Sequence, residues 1–190
     1  RDILQNFLAG ILLLVTEPFR IGDQIVVGSY EGTVEEIQTR ATMIRTYDGR
    51  RVVIPNADLF VDSVIVNTAS EVRRLDYIVG IGYGDDVEEA RQLVYTALRD
   101  CSTVLSVPKP EVLLVELAPA SVNLLIRWWI TPPRRRDVLD SKDEVLTAIK
   151  QQMKTHGVDL PYPTYQVLFH DQTEETDGDR LLQREGWPAR

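Results

Sequence analysis

One cysteine, two histidines and two methionines in 190 residues leave little from which to build a metal centre or a disulfide framework. Cys101 has no second cysteine to bridge, so nothing requires an oxidising compartment. Its place at the end of an expected helix suits burial as a small apolar side chain. His156 and His170 stand apart without a cysteine nearby, which argues against a metal site. His156, beside Gly157, suits the negative end of a helix dipole instead. No Gly-x-Ser-x-Gly elbow occurs. The acidic pairs Asp85-Asp86 and Glu88-Glu89 fall where a helix should begin, where capping explains them better than catalysis. No catalytic residue, cofactor or metal is therefore assigned. Basic residues are also in deficit, 21 Lys and Arg against 29 Asp and Glu, a net charge of -8. That balance weighs against a general affinity for nucleic acid and is a poor charge for adhering to anionic lipid.

Nor is there an apolar run of the ~20 residues that a spanning helix needs. The longest uncharged one, FLAGILLLV over residues 7–15, lacks the basic start and small-residue cleavage site of a signal peptide. A helix apolar on nearly every side must nevertheless be sheltered, by lipid or by neighbouring chains. The chain starts at Arg1-Asp2 without an initiator methionine, and the expectation is a piece of a longer protein with more membrane helix ahead of it.

What is present reads as three regions and a tail. A helix over residues 2–15 ends before Pro18. Short strands follow at 24–27, 33–38, 41–47 and 51–54. Asp48-Gly49 supplies the positive φ angles of a tight hairpin turn, and Pro55-Asn56 stops the last of these strands. This pattern suggests a small barrel-like β domain. Next come a strand at 72–83, with Leu75, Tyr77, Val79 and Ile81 on one face, and a helix with Asp85 as cap and Glu88 completing a capping box. Val87, Ala90, Leu93, Val94, Ala97 and Leu98 form that helix's apolar stripe. After Pro108-Lys109-Pro110, strands at 111–117 and 121–131 are expected, the second placing Trp128 and Trp129 on opposite faces. A second helix is expected with Ser141 as cap and Glu144 three residues on. Val145, Leu146, Ile149 and Met153 are its stripe and Gly157 its stop. Arg134, Arg135 and Arg136 read as a solvated loop before it, and Gly80-x-Gly82-x-Gly84 as strand-end packing without dinucleotide spacing. A final strand at 164–169 gives the order β-α-β-β-α-β, ferredoxin-like. Residues 171–190 are polar and acidic and read as a mobile or assembly-dependent tail.

The motifs Asn6-Phe7-Leu8-Ala9-Gly10, Glu17-Pro18-Phe19-Arg20-Ile21-Gly22-Asp23, Gly32-Thr33-Val34-Glu35-Glu36-Ile37, TMIRTYD at 42–48, Val53-Ile54-Pro55-Asn56 and Ile65-Val66-Asn67 stand in fixed order. Together they resemble the small-conductance mechanosensitive ion channel family, in register from Asn6 to about Phe169. The family commonly has Arg before Pro-Phe, where this chain has Glu17.

The resemblance implies a mixed fold. The end of a pore helix and a short interfacial helix would occupy 1–18, an Sm-like β domain 19–70 and a ferredoxin-like α+β domain 71–170, before the tail at 171–190. It implies a homo-oligomer, a heptamer whose cytoplasmic regions enclose a vestibule with side openings for ions and small solutes. The N-terminal helix would meet membrane lipids of a plasma or inner membrane, and the pore would open under tension to relieve osmotic stress. Asn6, polar in an apolar helix, would find its partner at the Pro55-Asn56 turn, and Gly10 would let neighbouring helices approach. That contact would bias which closed state follows opening. An Sm-like binding module, for RNA for instance, is the alternative reading, as is a homologue adapted for signalling. The tail's acidic composition argues against a conventional C-terminal barrel.

Overall fold

The computed structural model describes residues 2–163. The expected strand at 164–169, His170 and the acidic tail lie outside the described residues.

The first helix, α1 (Asp2–Thr16), consists almost entirely of apolar residues and ends where its local chemistry changes. The Thr16 hydroxyl turns back to donate to the Leu12 carbonyl at 2.8 Å. Glu17 then adopts a left-handed φ of 42°, with its N–H donating to the Leu13 carbonyl, and Pro18 prevents further helix.

Five strands follow: β1 (Gln24–Val27), β2 (Tyr30–Ile37), β3 (Ala41–Thr46), β4 (Arg51–Pro55) and β5 (Val64–Val66). They form one antiparallel sheet in the order β4-β3-β2-β1-β5. Alternation decides the register. Ile25, Val27, Val34, Ile44 and Ile54 point inward and bury together with Leu13, Phe19 and Leu59. The β3–β4 hairpin forms, but not as a two-residue turn. Thr46 N–H pairs with the Arg50 carbonyl, leaving Tyr47, Asp48 and Gly49 as the loop, and only Gly49 takes a positive φ, 88°. Pro55 stops the strand as expected, yet its φ of -56° suits the start of a helix. A short α2 (Asn56–Val61) begins there, and neither it nor β5 was anticipated.

The second unit contains β6 (Arg73–Ile81), α3 (Val87–Asp100), β7 (Glu111–Leu117), β8 (Val122–Ile130) and α4 (Arg135–His156). Its antiparallel sheet runs β6-β8-β7, and Val122, Leu124, Ile126, Trp128 and Ile130 of the central strand bury against α3 and α4. Tyr77 shares the parity of Leu75, Val79 and Ile81 but is exposed, and Leu146 is half-buried rather than core. Trp128 is fully buried while Trp129 on the opposite face is half-buried. Gly157, left-handed, closes α4.

Three local expectations are corrected by long-range partners. The cap of α3 is Asp86, accepting from the Glu89 N–H at 2.8 Å, because Asp85 instead accepts from the N–H groups of Gly82 and Asp159. Arg134 to Arg136 do not form a loop: α4 begins at Arg135, so Ser141 lies inside it. Ser141 is fully buried, its hydroxyl oxygen accepting from Trp128 Nε1 at 3.0 Å while its own O–H donates to the Thr103 hydroxyl oxygen at 2.9 Å. Glu144 is likewise no capping-box partner, since its carboxylate reaches across to the turn after α3. There it accepts from the N–H and hydroxyl of both Ser102 and Thr103.

Burial alone would raise the Glu144 pKa, but the hydrogen bonds from Thr103 and Ser102 outweigh it and hold the carboxyl below its usual value of 4.5. A group depressed in the folded state stabilises above its unfolded pKa and loses that contribution as pH falls through the folded value. Glu144→Gln should therefore lower unfolding stability at neutral pH, with the difference from wild type closing as pH falls below the ordinary carboxylate value of 4.5. Thermal unfolding of both proteins across pH checks this. Separately, Glu17→Gly should stabilise the chain by about 0.5–1 kcal/mol in denaturant titration, because it relieves the left-handed backbone. The ion pair it removes, Glu17–Arg20, is exposed and contributes little.

Candidate helix-docking site

The apolar helix α1 turns one narrow face to the five-stranded sheet. Asn6, Ala9, Gly10 and Leu13, spaced i, i+3, i+4 and i+7, are its covered positions. Leu13 enters the core, and Ala9 and Gly10 are buried. Both small residues let the helix axis come close. A Cβ added at Gly10 would collide with the Thr39 backbone carbonyl oxygen and lie 2.6 Å from Asn56 Nδ2. Within this chain the atoms nearest Gly10 belong to the β2–β3 turn and to Asn56 at the start of α2.

Asn56 is the hub beneath that contact. It is fully buried, and a buried amide must be hydrogen-bonded or cost about 1–3 kcal/mol. Its Oδ1 accepts from the Thr42 hydroxyl at 2.9 Å, its Nδ2 donates to the Gln38 carbonyl at 2.8 Å, and its backbone N–H donates to the Arg40 carbonyl at 3.0 Å. These bonds clamp the β2–β3 turn to the start of α2. The helix α2 has Pro55 as N-cap, which offers no side-chain acceptor. The cap comes from α1: the Ala57 N–H donates to Asn6 Oδ1 at 2.9 Å. Asn6, Gly10, Pro55 and Asn56 therefore meet in one place.

Thr42 was not among the residues singled out, although it is fully buried. Its signal is a polar residue at an inward position of a strand, next in parity to Ile44. The carbonyls of Gln38, Thr39 and Arg40 leave no trace in residue identities.

The opposite side of α1 has no cover. Ile3, Leu4, Phe7, Leu8, Ile11, Leu14 and Val15 are exposed, and on α2 Phe60 and Val61 are exposed beside it. A contiguous apolar surface of this kind marks an interaction surface. Elsewhere, the Gly82 N–H is already engaged by Asp85 and by the Asp159 carbonyl, which is strand-end packing rather than an open phosphate cradle.

Two family models match successive parts of the chain: "Mechanosensitive ion channel, beta-domain" over residues 2–69 and "Mechanosensitive ion channel MscS, C-terminal" over 75–160. An uncharacterised MscS family protein of Archaeoglobus fulgidus is 34% identical over 169 residues, 89% of this chain and 59% of that protein. The small-conductance mechanosensitive channel MscMJ of Methanocaldococcus jannaschii is 33% identical over 173 residues, 89% of this chain and 49% of that protein. This chain thus spans less than two thirds of the curated relatives it matches. Among solved structures, Helicobacter pylori MscS in its closed state superposes with a TM-score of 0.83 at 24% identity, over 90% of this chain and 67% of that one. That likeness concerns the fold.

Removing the cap should expose the docking. Asn6→Ala leaves the Ala57 N–H without its side-chain acceptor and should cost about 1–2 kcal/mol. Gly10→Ala should cost more, about 2–4 kcal/mol, because a backbone carbonyl must move. Amide hydrogen exchange at Ala57 and denaturant unfolding measure both, with Ala57 protection falling in each variant.

Proposed function

Because the chain belongs to the MscS-type mechanosensitive ion channel family, a family of channels and not of enzymes, we propose that it is the vestibule-forming part of a tension-gated channel subunit on the cytoplasmic side of a plasma or inner membrane. In this reading residues 1–18 end the pore helix and lie at the interface, 19–70 are an Sm-like β domain, 71–170 a ferredoxin-like domain, and 171–190 a tail. Subunits form a homo-heptamer. Ions and small solutes pass through side openings into the vestibule and out through the pore when osmotic stress stretches the bilayer.

Family members are membrane proteins, whereas among the described residues no helix is long and apolar enough to cross a membrane. The reading therefore requires a pore-lining helix ahead of Arg1 in the intact protein. The observation that carries it is the two-sided character of α1. One face is docked on the sheet unit through Asn6 and Gly10, and Ile3, Leu4, Phe7, Leu8, Ile11, Leu14 and Val15 are exposed. Burial of apolar area is worth about 25 cal/mol per Å². Lipid or sibling helices are the surroundings that reward such a surface.

Tension does work in proportion to the change in in-plane area, so it populates the wider state. The docked contact acts against that. Each state that keeps Asn6 on the α2 start holds α1 close to the β unit, and each state that releases it loses a cap and a close packing. The Asn6–Ala57 contact thus biases closing and the state reached under sustained tension, without touching the pore lumen.

Intact protein reconstituted in liposomes tests this by patch recording. Suction should evoke reproducible currents, and Asn6→Ala should change the rate of closure under held tension while leaving the unitary conductance unchanged. Protein verified as inserted that gives no tension-dependent current would overturn the proposal.

A further inference from the structure

A second joint, remote from α1, connects the two sheet units. The linker between β5 and β6 is short, and one hydrogen bond, from the Thr131 hydroxyl to the Glu71 carbonyl at 2.8 Å, ties it to the end of β8. Among the described residues, further polar contacts between the units gather at the first turn of α4.

Helix α4 begins with Arg134 as N-cap, and Arg134 makes no capping bond; its guanidinium pairs instead with Asp137 at 2.9 Å. The backbone N–H of Arg135, at the first helical position, has no acceptor within the helix. It finds Gln24 Oε1 of β1, in the other unit, at 2.8 Å. The Arg135 side chain then crosses in the same direction. Its Nη1 donates to Glu31 Oε2 at 3.0 Å, and the guanidinium lies 4.9 Å from the centre of the Tyr47 ring. The receiving side is itself organised: Tyr47 OH donates to Glu31 Oε1 at 3.4 Å and Asn67 Nδ2 donates to the same oxygen at 3.3 Å. Burial first, and then the Glu31 charge, push the Tyr47 pKa up to about 12, so the phenol remains a donor at physiological pH.

We propose that Arg135 and Gln24 form a releasable latch that fixes the α3/α4 unit in one orientation against the five-stranded sheet. A planar guanidinium can pair with Glu31 and cover Tyr47 at once, which an ammonium cannot do equally well. The side chains of Arg135 and Glu31 remain 45% and 31% exposed, so water and salt compete for the pair, and the latch opens without disrupting either apolar core. The latch does not rest on the channel reading.

Distances between spin labels in the full 190-residue chain test it. Labels at Asp62→Cys and Lys150→Cys, in a Cys101→Ala background, report one unit against the other. The latched chain should give a single narrow distance distribution. Gln24→Ala with Arg135→Ala should broaden it by roughly twofold or more while the thermal midpoint moves little, the signature of loosened orientation between intact units. Gln24→Ala with Glu31→Gln, confined to the sheet unit, should broaden it likewise and serves if the first pair fails to fold. Unchanged width in a folded variant pair, or a distribution already broad in the latched chain, overturns the proposal.

Discussion

A helix start exposes N–H groups that must find acceptors, and among the described residues α2 and α4 begin without a capping side chain of their own. Pro55 cannot cap α2 and Arg134 does not cap α4. Each deficit is met by an amide side chain from a different part of the molecule, Asn6 for the Ala57 N–H and Gln24 for the Arg135 N–H. The apolar cores hold each unit together, one around Ile25, Ile44 and Leu59, the other around Leu124, Trp128 and Met153. The borrowed caps decide how the pieces sit on one another. Core packing is worth several kcal/mol per large side chain, whereas a cap is worth about 1. The molecule is therefore firm within its units and adjustable between them.

That division of labour matters most at α1. Its uncovered face carries seven exposed apolar residues, and the docked face relies on Leu13, on the small residues Ala9 and Gly10 and on the Asn6–Ala57 hydrogen bond. Small residues allow intimate contact but bury little area, so the docked state depends on shape and on the Asn56 hub. In the proposed channel, lipid or neighbouring subunits acting on the other face would compete with it. Such a balance is what a state-dependent contact needs.

Much of this was legible in residue patterns. Period-two alternation located β6 and β8, the Pro108-Lys109-Pro110 break bounded β7, and the stripe from Val87 to Leu98 located α3, because burial on one face leaves a mark on every turn. The meeting of Asn6 with the Pro55-Asn56 turn followed from one polar residue in an apolar helix together with the family resemblance. The failures share a cause. Ser141 and Glu144 look like a capping box, but their hydrogen bonds go to Trp128, Ser102 and Thr103, which are distant in sequence. Asp85 yielded its capping role to Asp86 because Asp159 and Gly82 claim its carboxylate. Helix α2 and strand β5 are too short to show periodicity, and backbone acceptors such as the Thr39 carbonyl have no residue signature at all.

The central claim is that α1 presents positions 6, 9, 10 and 13 to its own β unit and the rest to lipid or sibling chains. Spin labels placed singly along α1 of the intact protein in bilayers, read by collision with oxygen and with a water-soluble relaxer, measure this directly. Accessibility to oxygen should oscillate with a period of about 3.6 residues, lowest at 6, 9, 10 and 13 and highest near 4, 8, 11 and 15. A flat profile, or one whose minima fall on Leu4, Leu8, Ile11 and Val15, would contradict it.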